Sequence, residues 1–158
     1  MKQHAYQVEI VWTGNLGSGT SSYQSYSRDH DVLVKGKEVM HASSDVIFRG
    51  DGSKYNPEDL FLSSISSCHM LWYLHLCADA GIKVLSYQDK ASGILSLEEN
   101  GSGKFTEVHL NPEVLISDVN QIEKAKEIHH RAHQFCFIAN SCSFPIFIDT
   151  NGVVANFD

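Results

Sequence analysis

The residues in this chain best suited to do chemistry are cysteines, at positions 68, 77, 136 and 142. Sulfur reacts as the thiolate, so a working cysteine needs a cation or a helix dipole to lower its pKa. A second thiol in reach lets a sulfenic acid close to a disulfide. Cys68 stands in Ser66-Ser67-Cys68-His69-Met70, where small residues ahead of it leave room for an approaching substrate or chain. Cys136 follows His133 by three residues on an expected helix, which puts both on one face. Each of the two is embedded in an expected apolar helix, and free cysteine is among the most buried residue types. Packing is therefore the default for Cys77 and Cys142. Pattern alone leaves Cys68 and Cys136 open between packing and chemistry.

A second constellation competes for the same atoms. His129, His133 and Cys136 fall at i, i+4 and i+7, and with Cys68 they would supply four zinc ligands. A helix with several histidines is more often just polar. Other patterns carry little. Gly14 to Gly19 lacks the Lys-Ser/Thr ending of a phosphate loop, Gly101-Ser102-Gly103-Lys104 lies in a hairpin turn, and Asp51-Gly52-Ser53 lacks the ligand series of a calcium loop.

The elements that must position the thiols follow from periodicity. Val8, Ile10 and Trp12 alternate across Tyr6–Thr13 as in a half-buried strand, and the stretches Tyr23–Arg28 and Val32–Val34 extend an antiparallel N-terminal meander. Asn56-Pro57-Glu58-Asp59 has the form of a helix start, with Asn56 as N-cap, Pro57 first in the helix and two acids in the first turn. That helix is expected from about Pro57 to Asp79, stopped by Gly81, and its segment from Cys68 to Cys77 is apolar on nearly every side, which calls for burial. Two long strands, Val84–Leu97 and Phe105–Ile116, read as a hairpin about Glu99–Gly103. A second long helix over Val119–Asn140 and a closing strand at Phe144–Ile148 complete an α+β chain.

Bulk properties bound the rest. With 158 residues, 42% hydrophobic and 20% charged, one soluble domain over residues 1–158 is expected. A net charge of -7 with twelve scattered basic residues argues against nucleic acid. The start MKQHAYQVEI has no signal-peptide stretch and no apolar run reaches the roughly 18 residues that span a bilayer, so no membrane association and a cytoplasmic location are expected. In a reducing compartment the cysteines would be core residues, ligands or reactive thiols rather than a disulfide framework.

Two motifs bring in a family. Asn56-Pro57-Glu58-Asp59-Leu60-Phe61-Leu62 followed by Ser66-Ser67-Cys68-His69, and Ala132-His133-Gln134-Phe135-Cys136-Phe137-Ile138-Ala139-Asn140-Ser141, resemble the two motifs of the OsmC/Ohr family of osmotically inducible and organic-hydroperoxide-resistance proteins. The order of elements is similar over nearly the whole chain: N-terminal antiparallel strands, a long buried central helix, a β-hairpin, a second long helix and a closing strand. The chain departs from the simplest pattern in His69 and in the bulkier Trp72-Tyr73-Leu74-His75-Leu76-Cys77.

What the resemblance implies is an intertwined homodimer with its active site at the subunit interface. There a peroxidatic cysteine attacks the O–O bond of an organic or lipid hydroperoxide and a second cysteine resolves it as a disulfide. Cys68 takes the first role and Cys136 the second. The resemblance places the family's glutamate on Glu58 and its arginine on Arg28, with Arg49 as the competing choice. A carboxylate can fix a guanidinium through paired hydrogen bonds, and the guanidinium can stabilise a thiolate and a leaving oxygen. Ten residues along a helix is about 15 Å of rise, so an arginine or a partner subunit must bridge Glu58 to Cys68. Phe61, Leu71, Trp72 and Phe135 are candidates for an apolar substrate pocket, or for core. The expected partners are the second subunit, the hydroperoxide and an external dithiol reductant, with no metal and no organic cofactor. The alternatives are a zinc-binding protein, or a protein of the same fold that binds a small apolar ligand in the dimer cleft without turnover.

Overall fold

The computed structural model describes residues 2–156. The chain divides into two compact units, one ending at Leu60 and the other beginning at Phe61.

In the first unit, β1 (Glu9–Trp12), β2 (His30–Leu33) and β3 (Met40–Ala42) form an antiparallel meander, with Ile10 opposite Val32 and His30 opposite Ala42. The expected strand over Tyr23–Arg28 is a series of turns and bends instead. Ser22, Ser25 and Ser27 explain the change: Ser25 Oγ donates to the carbonyls of Gly19 and Ser22, and Ser27 Oγ accepts from Asp29 N. Such local bonds offer the backbone an alternative to a ladder.

Helix α1 (Pro57–Asp79) has the bounds its sequence signals predict. Asp59 N donates to Asn56 Oδ1 at 2.8 Å and Asn56 N donates to Asp59 Oδ2 at 3.3 Å, a reciprocal cap. At the far end Gly81 adopts φ 73°, Ile82 N donates to Cys77 O and Gly81 N to Ala78 O, the Schellman closure that a left-handed glycine permits. Burial of α1 follows one stripe: Ile65, His69, Tyr73, Leu76 and Cys77. Leu71, expected to be buried, is 63% exposed, because the elements packed on α1 cover only one of its sides.

In the second unit each expected long strand is broken in two, at Lys90-Ala91 and at Asn111, and the halves join different sheets. β4 (Val84–Asp89) pairs with β7 (Pro112–Ile116), and β5 (Ser92–Leu97) pairs with β6 (Gly103–Leu110), both antiparallel. The Asp89 carboxylate accepts Asn111 N at 2.7 Å and so ties the two breaks together. β8 (Ile146–Ile148) runs parallel to β6. A last strand the sequence reading lacked, β9 (Val153–Ala155), runs parallel to β7.

Helix α2 is shorter than expected, Ile122–Phe135, preceded by a 3-10 turn at Val119–Gln121 and followed by another at Ala139–Ser141. Tyr73, Leu76, Cys77, Ala125, Ile128 and Ala132 form one core with residues of β7 and β9. Ile65, Val108 and Leu110 centre a second, which takes in Phe61, Phe105 and Phe144.

Candidate thiol site

Cys68 lies in the middle of α1, half-buried. Cys136, expected on a helix, sits one residue past the end of α2 in an extended conformation, φ -68° and ψ 107°, and is fully buried. The helix ends there because Cys136 N reaches back only to His133 O, at 3.3 Å, and the chain then tightens into the 3-10 turn. That turn returns a hydrogen bond to the sulfur: Ala139 N donates to Cys136 Sγ at 3.4 Å.

The two thiols meet. Burial pushes the pKa of Cys136 up to about 12, and a hydrogen bond with Cys68 adds to the rise, while the N–H groups of Ala139 and Ile138 oppose it. The raised pKa keeps Cys136 a neutral thiol within hydrogen-bond reach of the Cys68 sulfur. Cys77 and Cys142 stand apart. Cys77 is fully buried beside Tyr73, and Cys142 Sγ donates to Ile138 O at 3.3 Å. Burial raises both pKa values, which suits inert packing.

The expected pocket residues fall in two places. Trp72 stacks on Phe135 with ring centroids 5.1 Å apart and meets Phe137 edge-on at 5.6 Å, so the rings on either side of Cys136 and a residue of α1 form an aromatic ledge. Leu71, Trp72 and His75 line a depression of about 220 Å³ beside it. Phe61 belongs elsewhere, packed on Phe105 and Phe144 in the second core.

In the first unit, Arg28 is held by its own loop. Its guanidinium donates to Tyr26 O at 2.6 Å and Tyr23 O at 2.7 Å, and it lies 4.1 Å and 4.2 Å from the centroids of those two tyrosine rings. Arg49 is exposed and left-handed, φ 66°, at the end of the 3-10 turn Val46–Phe48. Glu58 is half-buried in the first turn of α1.

Sequence reasoning missed one feature next to the thiols. His69 and His129 are fully buried and hydrogen-bonded to each other, Nε2 to Nδ1 at 3.0 Å. The signal was present, since His69 falls on the stripe of Ile65, Tyr73 and Leu76. Among the described residues no group of three or more His, Cys, Asp or Glu is arranged to hold a metal ion, and His129 Nδ1 is engaged by His69.

Among the described residues, two helices, three small sheets and a thiol within α1 that meets one just past the end of α2 define an α+β protein with a paired-cysteine site. The chain belongs to the OsmC-like protein family, whose model matches residues 50–151. It is similar in structure to an OsmC-like protein of unknown function from Vibrio cholerae, at 29% identity and a TM-score of 0.83, over 96% of this chain and 100% of that one. An organic hydroperoxide resistance protein from Elizabethkingia anophelis with thiocyanate bound matches at 22% identity and 0.66, over 99% and 100%. A putative organic hydroperoxide resistance protein from Vibrio cholerae, with captopril bound in one of its active sites, matches at 20% and 0.64, over 98% and 94%. No curated protein matches the chain. No helix among the described residues is long and apolar enough to cross a membrane.

Proposed function

We propose that the protein is a cysteine-based peroxidase that reduces organic or lipid hydroperoxides to alcohols in the cytoplasm, as part of oxidative-stress defence. The observation that carries this reading is the unequal contact of the two thiols, a half-open Cys68 against a closed, protonated Cys136. The Cys68 thiolate attacks the outer oxygen of ROOH, the O–O bond breaks, and the alkoxide takes a proton to leave as ROH, with Cys68 now a sulfenic acid. The Cys136 sulfur then displaces the hydroxyl of that sulfenic acid. Its proton leaves with the hydroxide as water, and a Cys68–Cys136 disulfide remains. An external dithiol returns both to thiols by exchange.

Leu71, Trp72 and Phe135 hold the apolar body of the peroxide on the aromatic ledge, and Phe61 supports the helix from the core. Glu58 and Arg28 stabilise the thiolate and the leaving oxygen across the interface of a homodimer. The relatives that are hydroperoxide resistance proteins support the same reading. Binding of zinc or of a small apolar ligand without turnover is the alternative.

The test is the rate of hydroperoxide consumption with dithiothreitol and with dihydrolipoamide for the parent, Cys68→Ser and Cys136→Ser. The expected result is no turnover for Cys68→Ser and, for Cys136→Ser, a form that over-oxidises or links between chains. Equal rates in all three would overturn the mechanism.

A further inference from the structure

The seam between α1 and α2 holds polar groups that the thiol chemistry does not use. The imidazoles of His69 and His129 lie edge to edge, with planes within 8° and His69 Nε2 3.0 Å from His129 Nδ1. Tyr73, one turn on from His69, stacks on His129 with centroids 3.9 Å apart. A neutral imidazole donates through one nitrogen and accepts through the other, so this bond links the tautomers of the two rings. Among the described residues their outer nitrogens, His69 Nδ1 and His129 Nε2, have no hydrogen-bond partner.

As a source of stability alone, this pair is a poor choice. Each buried, unpartnered nitrogen carries an uncompensated loss of hydration, and two apolar side chains of the same volume would hold the helices together at least as well. What the pair adds is direction. Apolar contacts tolerate sliding and rotation of one helix on another, whereas a hydrogen bond weakens steeply once its distance or angle is lost. The position of that constraint matters, because His69 follows Cys68 directly and His129 lies on the α2 segment that ends at Cys136.

We infer that the His69–His129 hydrogen bond positions the thiol pair: it fixes the register of α1 against α2 so that Cys136 stands against Cys68, and so governs disulfide closure rather than the first oxidation of Cys68. The inference rests on the paired-thiol reading above. Neither ring touches the substrate, and both act through the helices that carry the sulfurs.

The first measurement does not depend on peroxidase activity. The protein is equilibrated with reduced and oxidised glutathione, and the effective concentration of Cys136 toward Cys68 is read from the fraction of intramolecular disulfide. His129→Leu removes the bond at similar volume, and His129→Asn keeps a polar atom at the Nδ1 position. Effective concentration is expected to fall about tenfold in His129→Leu, the weight of one hydrogen bond, and to stay near the parent's in His129→Asn. With one equivalent of cumene hydroperoxide, the rate of Cys68 oxidation should change by less than about twofold in His129→Leu, while dimedone captures more sulfenic acid because closure is slower.

An unchanged effective concentration in folded His129→Leu overturns the inference. So does an equal loss in His129→Asn, which would assign the effect to ring packing. Should His129→Leu fail to fold, His69→Met breaks the same bond from α1. If neither folds, the pair is a folding element and the positioning role is overturned. A parent that forms the disulfide with glutathione but ignores hydroperoxide sinks the peroxidase reading and leaves this one standing.

Discussion

The two sulfurs of the candidate site are in contact, yet their backbones are held in opposite ways. Cys68 is locked mid-helix, with a hydrogen-bonded turn on either side and a half-open side chain. Cys136 lies past a helix end, extended, with its sulfur closed in and held by the turn that follows as well as by Cys68. Disulfide formation draws two sulfurs from hydrogen-bond contact to about 2.05 Å, by side-chain rotation together with whatever backbone adjustment the Cα spacing demands. A residue inside a helix cannot shift without breaking that helix, whereas a residue at a helix end can adjust the turn beyond it. On the proposed peroxidase reading, the difference puts the movement at Cys136 and the first encounter with a peroxide at Cys68.

The largest effect that would break this asymmetry is the exchange of roles. Cys68→Ser is expected to reduce hydroperoxide turnover to the uncatalysed rate. Cys136→Ser should keep a single fast oxidation per chain to the sulfenic acid and then stall, with mass spectrometry showing sulfinic acid at Cys68 once a second equivalent of peroxide has reacted. If Cys136→Ser oxidises no more readily than Cys68→Ser, the assignment is reversed or void.

Next in size is the response to acid of the seam that joins the two thiol-bearing segments. Burial lowers the pKa of His69 to about 4, with His133 adding to the shift, and lowers that of His129 to about 3, with His69 and His130 adding. Tyr73 and Cys77 face the same seam from α1 and are neutral there, both with raised pKa values. In the unfolded chain both histidines titrate near the usual 6.5, so below that value the unfolded state binds more protons than the folded one. The folded state therefore loses stability progressively as the pH falls below about 6.5, and the loss levels off once the pH is below about 4 for His69 and about 3 for His129. Urea midpoints between pH 7.5 and 3.5 should decrease monotonically, and His69→Met should flatten the slope between 6.5 and 4. An unchanged slope would mean that these rings are not what couples the seam to protons.

How far the sequence could announce this arrangement differs between the two helices. Every terminal signal of α1 is local chemistry: a capping pair, a proline in the first turn and a left-handed glycine at the end. Its bounds were therefore legible to the residue. α2 has no such punctuation at its C-terminus, where apolar residues run on through Phe135-Cys136-Phe137-Ile138 and periodicity alone carries the expected helix on to Asn140. What stops it is tertiary, since Cys136 is needed against Cys68 and Ile138 in the second core. The same limit hid the splitting of the long hairpin into two sheets, because nothing in a run of strand-forming residues says where a pair of strands changes partners. It also hid the histidine pair, whose meaning depends on two residues sixty positions apart. The thiols were legible as a pair only through the motifs around them. Their inequality required the backbone.

A smaller substitution tests whether the order of Cys68 comes from its helix as a whole or from its immediate neighbours. Asn56→Ala removes the side-chain acceptor for Asp59 N but keeps the backbone N–H that donates to Asp59 Oδ2, and the loss of such a cap costs about 1 kcal/mol. α2 begins differently: Gln121 makes no side-chain cap, and Asp118 instead accepts from Asn120 N at the preceding 3-10 turn. Because Cys68 lies more than two turns inside α1, fraying at Asn56 should stop short of it. Thermal unfolding of Asn56→Ala is therefore expected a few degrees below the parent, with faster hydrogen exchange confined to the first turn around Glu58 and an unchanged rate of Cys68 oxidation per active site. A matched fall in that rate would mean that Glu58 reports on the thiol through the helix start. The firm seat of Cys68 would then belong to the whole of α1 rather than to its middle.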